Sequence, residues 1–263
     1  MVAERFAPDG PGSRPGSGPA AAVPPGTRVY AVGDSHGCAR LLGALHAAIL
    51  EDSAAADARA PAPAERRVAV YLGDYIDRGP DSRGLLEMLI AEPLPGFETV
   101  HLMGNHDLFM RQFLDGEDVT AIWMMNGGAA TLRSYGVDPG ALHRMGGAAG
   151  RLRAELEARL PAAHRGFLSG LRLNHVEGGY FFAHAGIRPG VPLEAQDAHD
   201  LVWIREPFLS SEADHGKVVV HGHTPAQAPE VRVNRIGIDT GACYGGRLTA
   251  LVLENAGRRF LQA

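Results

Sequence analysis

Five short motifs carry side chains that bind metal ions or grip phosphate: Gly33-Asp34-Ser35-His36-Gly37, Gly73-Asp74-Tyr75-Ile76-Asp77-Arg78-Gly79, Gly104-Asn105-His106-Asp107, His184-Ala185-Gly186 and Gly222-His223-Thr224-Pro225. Asp34 and His36 place a carboxylate and an imidazole on one turn, and the flanking glycines let the backbone bend sharply there. Alone, such a pair is an ordinary polar turn. Asp74 adds a carboxylate whose two oxygens can be shared by two cations, the arrangement that holds metals about 3.5–4 Å apart for in-line displacement at phosphorus. Asn105, His184 and His223 add an amide oxygen and two imidazoles. Carboxylate, imidazole and amide together suit Mn²⁺, Fe or Zn²⁺ better than Ca²⁺. The set spells hydrolysis of a phosphate ester at two divalent metal ions.

Asp77 and Arg78 lie just beyond Asp74. The planar fork of Arg78 can hold two phosphate oxygens at once, where the plain alternative is a salt bridge across the turn. His106, next to Asn105, is either a third imidazole ligand or a general acid. Asp77 favours the acid, because it would orient the imidazole that protonates the leaving oxygen. Other histidines read as structural. Strand alternation turns His221 away from His223, His101 lies within a strand, and His46, His143, His164, His175, His199 and His215 are expected at the surface. Asp239 is expected to orient a ligand histidine.

Each motif follows a short apolar run that reads as a buried strand. Strands are expected at residues 28–32, 68–72, 99–103, 179–183, 217–220, 235–238 and 248–253, and helices at 40–50, 82–90, 107–114 and 151–160. Residues 51–66, rich in Ala, Pro and Asp, read as a loop, and 107–170 as a helical insertion on the rim. Strand–helix alternation followed by a strand-rich second half predicts an α/β fold of two packed mixed sheets flanked by helices, with the site at the loops after the strand ends. Residues 1–26, mostly Pro, Gly, Ser and Ala, cannot bury enough surface to offset their ordering entropy and read as a disordered tail ahead of a domain at 27–263.

Composition narrows the partners. The chain has 263 residues, a net charge of −5 and 45% hydrophobic residues, ordinary for a soluble globular protein and unfavourable for a general nucleic-acid binder. Its lysine is Lys217 alone, so the basic charge is carried by Arg. Two cysteines, Cys38 and Cys243, make neither a disulfide framework nor a zinc site; Cys243, near the proposed site, is kept as an oxidation-sensitive candidate. No apolar run is long enough to span a membrane and no signal peptide is visible, which points to the cytoplasm.

At these motifs the chain resembles the PPP-type calcineurin-like metallophosphoesterases over about residues 27–255. That group includes serine/threonine phosphatases and bacterial diadenosine tetraphosphatases. The resemblance implies an αββα sandwich in which Asp34, His36 and Asp74 bind one metal, and Asp74, Asn105, His184 and His223 the other. It further implies that Asp77 and His106 form the acid pair, that Arg78 contacts phosphate, and that a hydroxide bridging two ions, Mn²⁺ foremost, attacks phosphorus directly. A second phosphate arginine follows a tryptophan in this group, which points to Arg205 in Trp203-Ile204-Arg205-Glu206. Asp107, in place of the usual Glu, and His184-Ala185-Gly186 look like the tetraphosphatase branch. Asp77, Thr224-Pro225, the segment 123–135 and the loop 239–246 look like the bacterial protein-phosphatase subgroup, some relatives of which act on phosphotyrosine. The substrate implied is a phosphoprotein or phosphorylated small molecule, with a dinucleoside polyphosphate as the alternative.

Overall fold

The computed structural model describes residues 21–91, 94–140 and 149–263. Most of the tail and His143 lie outside them. Strands β1 (Thr27–Val32), β2 (Arg66–Tyr71) and β3 (Glu98–His101) are parallel neighbours, separated in sequence by helices α1 (Ala39–Arg59) and α2 (Ser82–Ile90). After β3 come α3 (Asn105–Asp115), α4 (Thr120–Met125), α5 (Gly128–Ser134), α6 (Ala149–Glu157) and α7 (Ala162–Ser169). Strands β4 (Asn174–Glu177) and β5 (Tyr180–Ala183) follow, then α8 (Ala198–Trp203), β6 (Val218–His221), β7 (Glu230–Val231), β8 (Arg235–Gly237), β9 (Thr249–Glu254) and β10 (Gly257–Gln262). One sheet has the order β10-β9-β1-β2-β3, the other β4-β5-β6-β8-β7.

The layers follow from period-two alternation. In β1, Val29 and Ala31 face the second sheet, where they meet Tyr180, Phe182, Val220 and Ile236; Tyr30 and Val32 face out onto Leu42 and Leu45 of α1. In β5, Tyr180 and Phe182 point inward, while Phe181 and Ala183 pack on Leu201, Ile204 and Phe208. The result is the helix–sheet–sheet–helix order expected from the sequence. Strands β5, β6 and β8 are also mutually parallel, so all six strands that precede functional loops belong to parallel sets. No helix among the described residues is long and apolar enough to cross a membrane.

Four readings of the sequence are corrected. Residues 51–59 continue α1 rather than forming a loop. Alanine is the best helix former, and the acidic residues are anchored: Asp57 pairs with Arg28 at 2.8 Å, and Asp52 accepts from Tyr30 Oη at 2.9 Å. Strands β4, β7 and β10 were not expected; all three are sheet edges, whose charged residues blur the alternation. His46 and His164 are buried, not superficial, against the hydroxyls of Tyr71 (2.8 Å) and Tyr135 (2.7 Å). Residues 21–26 are packed rather than loose: Val23 is buried and donates to Asn255 O at 3.0 Å, and Gly179 N donates to Ala22 O at 2.8 Å.

Candidate active site

Asp34, Asp74, Asn105, His184, His223 and Asp239 all lie a few residues beyond the C-terminal ends of β1, β2, β3, β5, β6 and β8. The chain must turn abruptly there, and it does so at a conformational cost. Among the described residues, the non-glycine positions with left-handed backbone are His36 (φ 38°), Asp74 (52°), Asp77 (71°), Arg78 (64°), His223 (63°) and, in the β9–β10 hairpin, Asn255 (53°). Each such position is disfavoured for an L-residue and persists only where the surroundings over-determine it. Two glycines supply the clearance. A Cβ at Gly104 would fall 2.1 Å from Asp74 Oδ1, and one at Gly222 would fall 1.9 Å from Asp34 Oδ1.

Asp74 is the hub. Its Oδ1 accepts the His106 backbone N–H at 3.0 Å, while its Oδ2 lies 3.4 Å from His36 Nε2, 3.4 Å from His184 Nε2 and 4.0 Å from His106 Nε2. The tautomers follow from the far side of each ring. His36 Nδ1 is 2.8 Å from Ile76 O, His184 Nδ1 is 2.9 Å from Leu72 O, and His106 Nδ1 is 2.7 Å from Asp77 Oδ2. Carbonyl and carboxylate oxygens only accept, so each Nδ1 carries the proton. In neutral rings the Nε2 lone pairs therefore converge on Asp74, the carbonyl- and carboxylate-backed geometry of metal-ligating histidines. Burial pulls His36 and His223 down to about 3, and lowers His184 too, keeping these imidazoles neutral.

The donor set fits divalent cations. Two groups of side chains converge closely enough for one ion each: His36, Asp74 and His106, and Asp74, His184 and His223, with Asp74 common to both. Asn105 Oδ1 sits 3.0 Å from His184 Nε2, so two acceptors meet in a buried space, and 2.9 Å from His223 Nδ1. Buried Asp34 Oδ1 and His223 Nε2 have no hydrogen-bond partner among the described residues. Asp34 Oδ2 takes the His223 N–H at 3.0 Å. Burial, then the neighbouring Asp239 and Asp74, raise the Asp34 carboxyl well above its ordinary value, as expected of carboxylates gathered without a counter-charge. Asp239 accepts the Gly241 N–H at 3.0 Å rather than orienting a histidine, and burial raises it to about 6.

The arginines sit at the rim. Arg78 is exposed, donates from Nη1 to His36 Nε2 at 2.6 Å and lies over the Tyr244 ring, 5.4 Å from its centroid. Arg205 is exposed as well, its Nη2 3.5 Å from His223 O. His221 is buried behind His223, 3.3 Å from Arg235 Nη1, in the structural role its alternation implies. Burial pushes the Cys243 thiol up to about 11 and raises Cys38 also, so neither is a reactive thiolate near neutral pH.

Three contributions escaped sequence reasoning. Asp107 accepts the N–H groups of Gly104 (2.9 Å), Asp74 (2.8 Å) and Tyr75 (3.1 Å), clamping the second motif to the third. Trp123 Nε1 reaches Asp77 at 2.9 and 3.1 Å. Thr131 Oγ1 donates to Asp77 Oδ1 at 2.5 Å. A buried tryptophan needs a partner for its N–H, but nothing in the spacing of Trp123 from Asp77 identifies that partner.

The sequence profile of the Calcineurin-like phosphoesterase family matches residues 27–247. Serine/threonine-protein phosphatase 1 of Salmonella typhimurium is 30% identical over 231 residues, covering 84% of this chain and 89% of the relative. Bis(5'-nucleosyl)-tetraphosphatase PrpE [asymmetrical] of Bacillus thuringiensis is 28% identical over 206 residues, covering 73% and 77%. A crystal structure provisionally assigned as a diadenosine tetraphosphatase superposes with a TM-score of 0.60 at 22% identity, over 93% of this chain and 98% of that one, a likeness of fold.

Proposed function

The chain belongs to the calcineurin-like phosphoesterase family, and from that premise we propose that it is a dinuclear, Mn²⁺-dependent phosphomonoesterase acting on phosphoprotein. The observation that carries this reading is the acid pair: His106 Nδ1 bonds Asp77 Oδ2 at 2.7 Å with both side chains buried. Similarity to the Salmonella serine/threonine phosphatase over most of both chains supports it.

In this reading Asp34, His36 and Asp74 hold one metal, and Asp74, Asn105, His184 and His223 the other. Bound there, the two ions would supply positive charge and lower the pKa of a water, the chemistry of in-line displacement at phosphorus. The protein does the rest. Arg78 and Arg205 grip equatorial oxygens from the rim, where exposed guanidinium groups can swing onto substrate. His106, held by Asp77 with Nε2 facing the site, delivers a proton to the leaving oxygen.

A second reading, a dinucleoside polyphosphate hydrolase, is favoured by Asp107, by His184-Ala185-Gly186 and by similarity to the Bacillus enzyme. Initial rates of one Mn²⁺-loaded preparation on a phosphotyrosine peptide, a phosphoserine/threonine peptide and diadenosine tetraphosphate, each with a chelator control, separate the two. We expect a phosphopeptide to lead in kcat/KM by orders of magnitude. A lead for the dinucleotide overturns the proposal in favour of the second reading.

A further inference from the structure

Asp77 has no exposed surface, and its carboxylate is enclosed by donors from three places in the chain. His106 Nδ1 lies 2.7 Å from Oδ2. Trp123 Nε1, from α4, lies 2.9 Å from Oδ2 and 3.1 Å from Oδ1. Thr131 Oγ1, from α5, lies 2.5 Å from Oδ1. The Thr131 hydroxyl also accepts the Asp77 backbone N–H at 2.9 Å and meets Ser82 Oγ at 3.1 Å, so one side chain fixes both ends of Asp77. Trp123 and Thr131 are fully buried. The tryptophan ring is seated by Phe113, 4.9 Å between centroids, and by the absence of a side chain at Gly128, where a Cβ would fall 2.7 Å from the indole. The turn joining α4 to α5 packs on the next residue too: Arg78 N donates to Gly127 O at 3.4 Å.

A carboxylate that can rotate offers its partner imidazole a range of orientations, whereas one pinned through both oxygens offers a single one. We infer that Trp123 and Thr131 are positioning residues for leaving-group protonation, acting through Asp77 to aim His106 Nε2 at the departing oxygen. This rests on the reading of His106 as general acid. In the step itself a hydroxide oxygen bonds to phosphorus as the P–O bond to the leaving group breaks with its electron pair on the leaving oxygen, the Nε2 proton of the imidazolium moves to that oxygen, and the ring remains as neutral imidazole with Nδ1–H on Asp77. Neither Trp123 nor Thr131 touches the substrate. The helical insertion thereby enters catalysis without contributing a ligand or a proton.

The test uses leaving groups of different basicity on the full-length, Mn²⁺-loaded enzyme. Phenyl phosphate leaves poorly and needs its oxygen protonated; 4-nitrophenyl phosphate leaves well and scarcely needs it. Trp123→Phe and Thr131→Val are expected to lower kcat on phenyl phosphate by about tenfold or more, against less than about threefold on the nitrophenyl ester, part of the 10²–10⁴ that general acids contribute. Metal content and KM should hold, and Thr131→Ser, which keeps the hydroxyl, should restore phenyl phosphate turnover. Equal losses on both esters from Thr131→Val, or a rise in KM alone, overturn the inference. Should Trp123→Phe fold poorly, the Thr131 pair decides. His106→Asn separates the layers: if its own loss is equal on both esters, the acid reading fails and takes this one with it. If His106→Asn discriminates between the esters while Thr131→Val and Trp123→Phe do not, only the positioning inference fails.

Discussion

Replacing Gly222 by alanine should displace the carboxylate at the base of the site while leaving the fold intact. The added Cβ would fall 1.9 Å from Asp34 Oδ1, about 1 Å inside the 3.0 Å that real contacts keep. Asp34 has little freedom to yield, since it is 2% exposed and its other oxygen holds the His223 N–H at 3.0 Å. Either the carboxylate rotates out of the site or the backbone at Gly222 retreats and takes His223 with it. Both routes disturb a residue proposed to hold metal, and a displacement of about 1 Å in a catalytic constellation costs roughly 10²-fold in rate. Titration of the chelated protein with Mn²⁺ should show affinity weakened by about 10–100-fold, the range typical of damage to a ligand's support. Turnover at saturating Mn²⁺ should fall about 100-fold, with a cooperative melt retained. Gly166→Ala is the control: its Cβ meets nothing within 4 Å and it lies in α7, so the variant should be active and up to about 1 kcal/mol more stable. Wild-type metal affinity and turnover in Gly222→Ala would refute the placement of Asp34 in the metal site.

Two further predictions follow from the same geometry and from the core. Asp74→Asn should lose both activity and metal, because Asp74 is common to both ligand groups; His106 stands in one of those groups but is read as the acid, so His106→Asn should lower turnover by about 10²–10⁴-fold with metal retained, and a collapse of metal content, measured by mass spectrometry, would make His106 a ligand. Burial lowers His46 and His101 from 6.5 to about 4, so the unfolded chain binds more protons between those values: their contribution to stability is present above pH 6.5 and lost as pH falls toward 4, by about 3 kcal/mol for each at most. Urea unfolding of the metal-free protein should track that window, and the His46→Gln/His101→Gln double variant should flatten the slope; an unchanged slope counts against the assignment.

The residues gathered in the centre were legible in the sequence because each sits at the end of a strand with an apolar run before it. Asp34, Asp74, Asn105, His184 and His223 were each expected just beyond a strand end, and each lies there, with Asp74, His184 and His223 brought within reach of one another. What escaped notice depends on contacts between distant segments. Asp107 was visible only as a departure from a motif, and its work, taking three backbone N–H groups from two loops, needs both loops in place. The end of α1 was misread because an alanine-rich stretch with acidic residues looks like a linker until Arg28, Arg67 and Arg259 arrive from other strands to meet Asp57 and Asp52. Composition likewise could not show that residues 21–26 find backbone partners at Asn255 and Gly179.

The two halves of the site are therefore built on different principles. The metal-facing half stands on the ends of buried parallel strands, whose ladders hold left-handed turns at His36, Asp74 and His223 that a loose loop would relax. The His106–Asp77 pair, proposed as the acid, lies further from the strand ends, five residues beyond β3 and six beyond β2. His106 is delivered by the first turn of α3, and Asp77 by a turn that itself holds left-handed backbone and whose carboxylate is pinned by His106 and by side chains from the short helices α4 and α5. Drift of α4 and α5 relative to the sheets would leave the strand-end residues in place while misaiming His106, the residue proposed to protonate the leaving oxygen. Loss in the insertion should consequently appear first on substrates with poor leaving groups, whereas damage at the strand ends should depress every substrate alike.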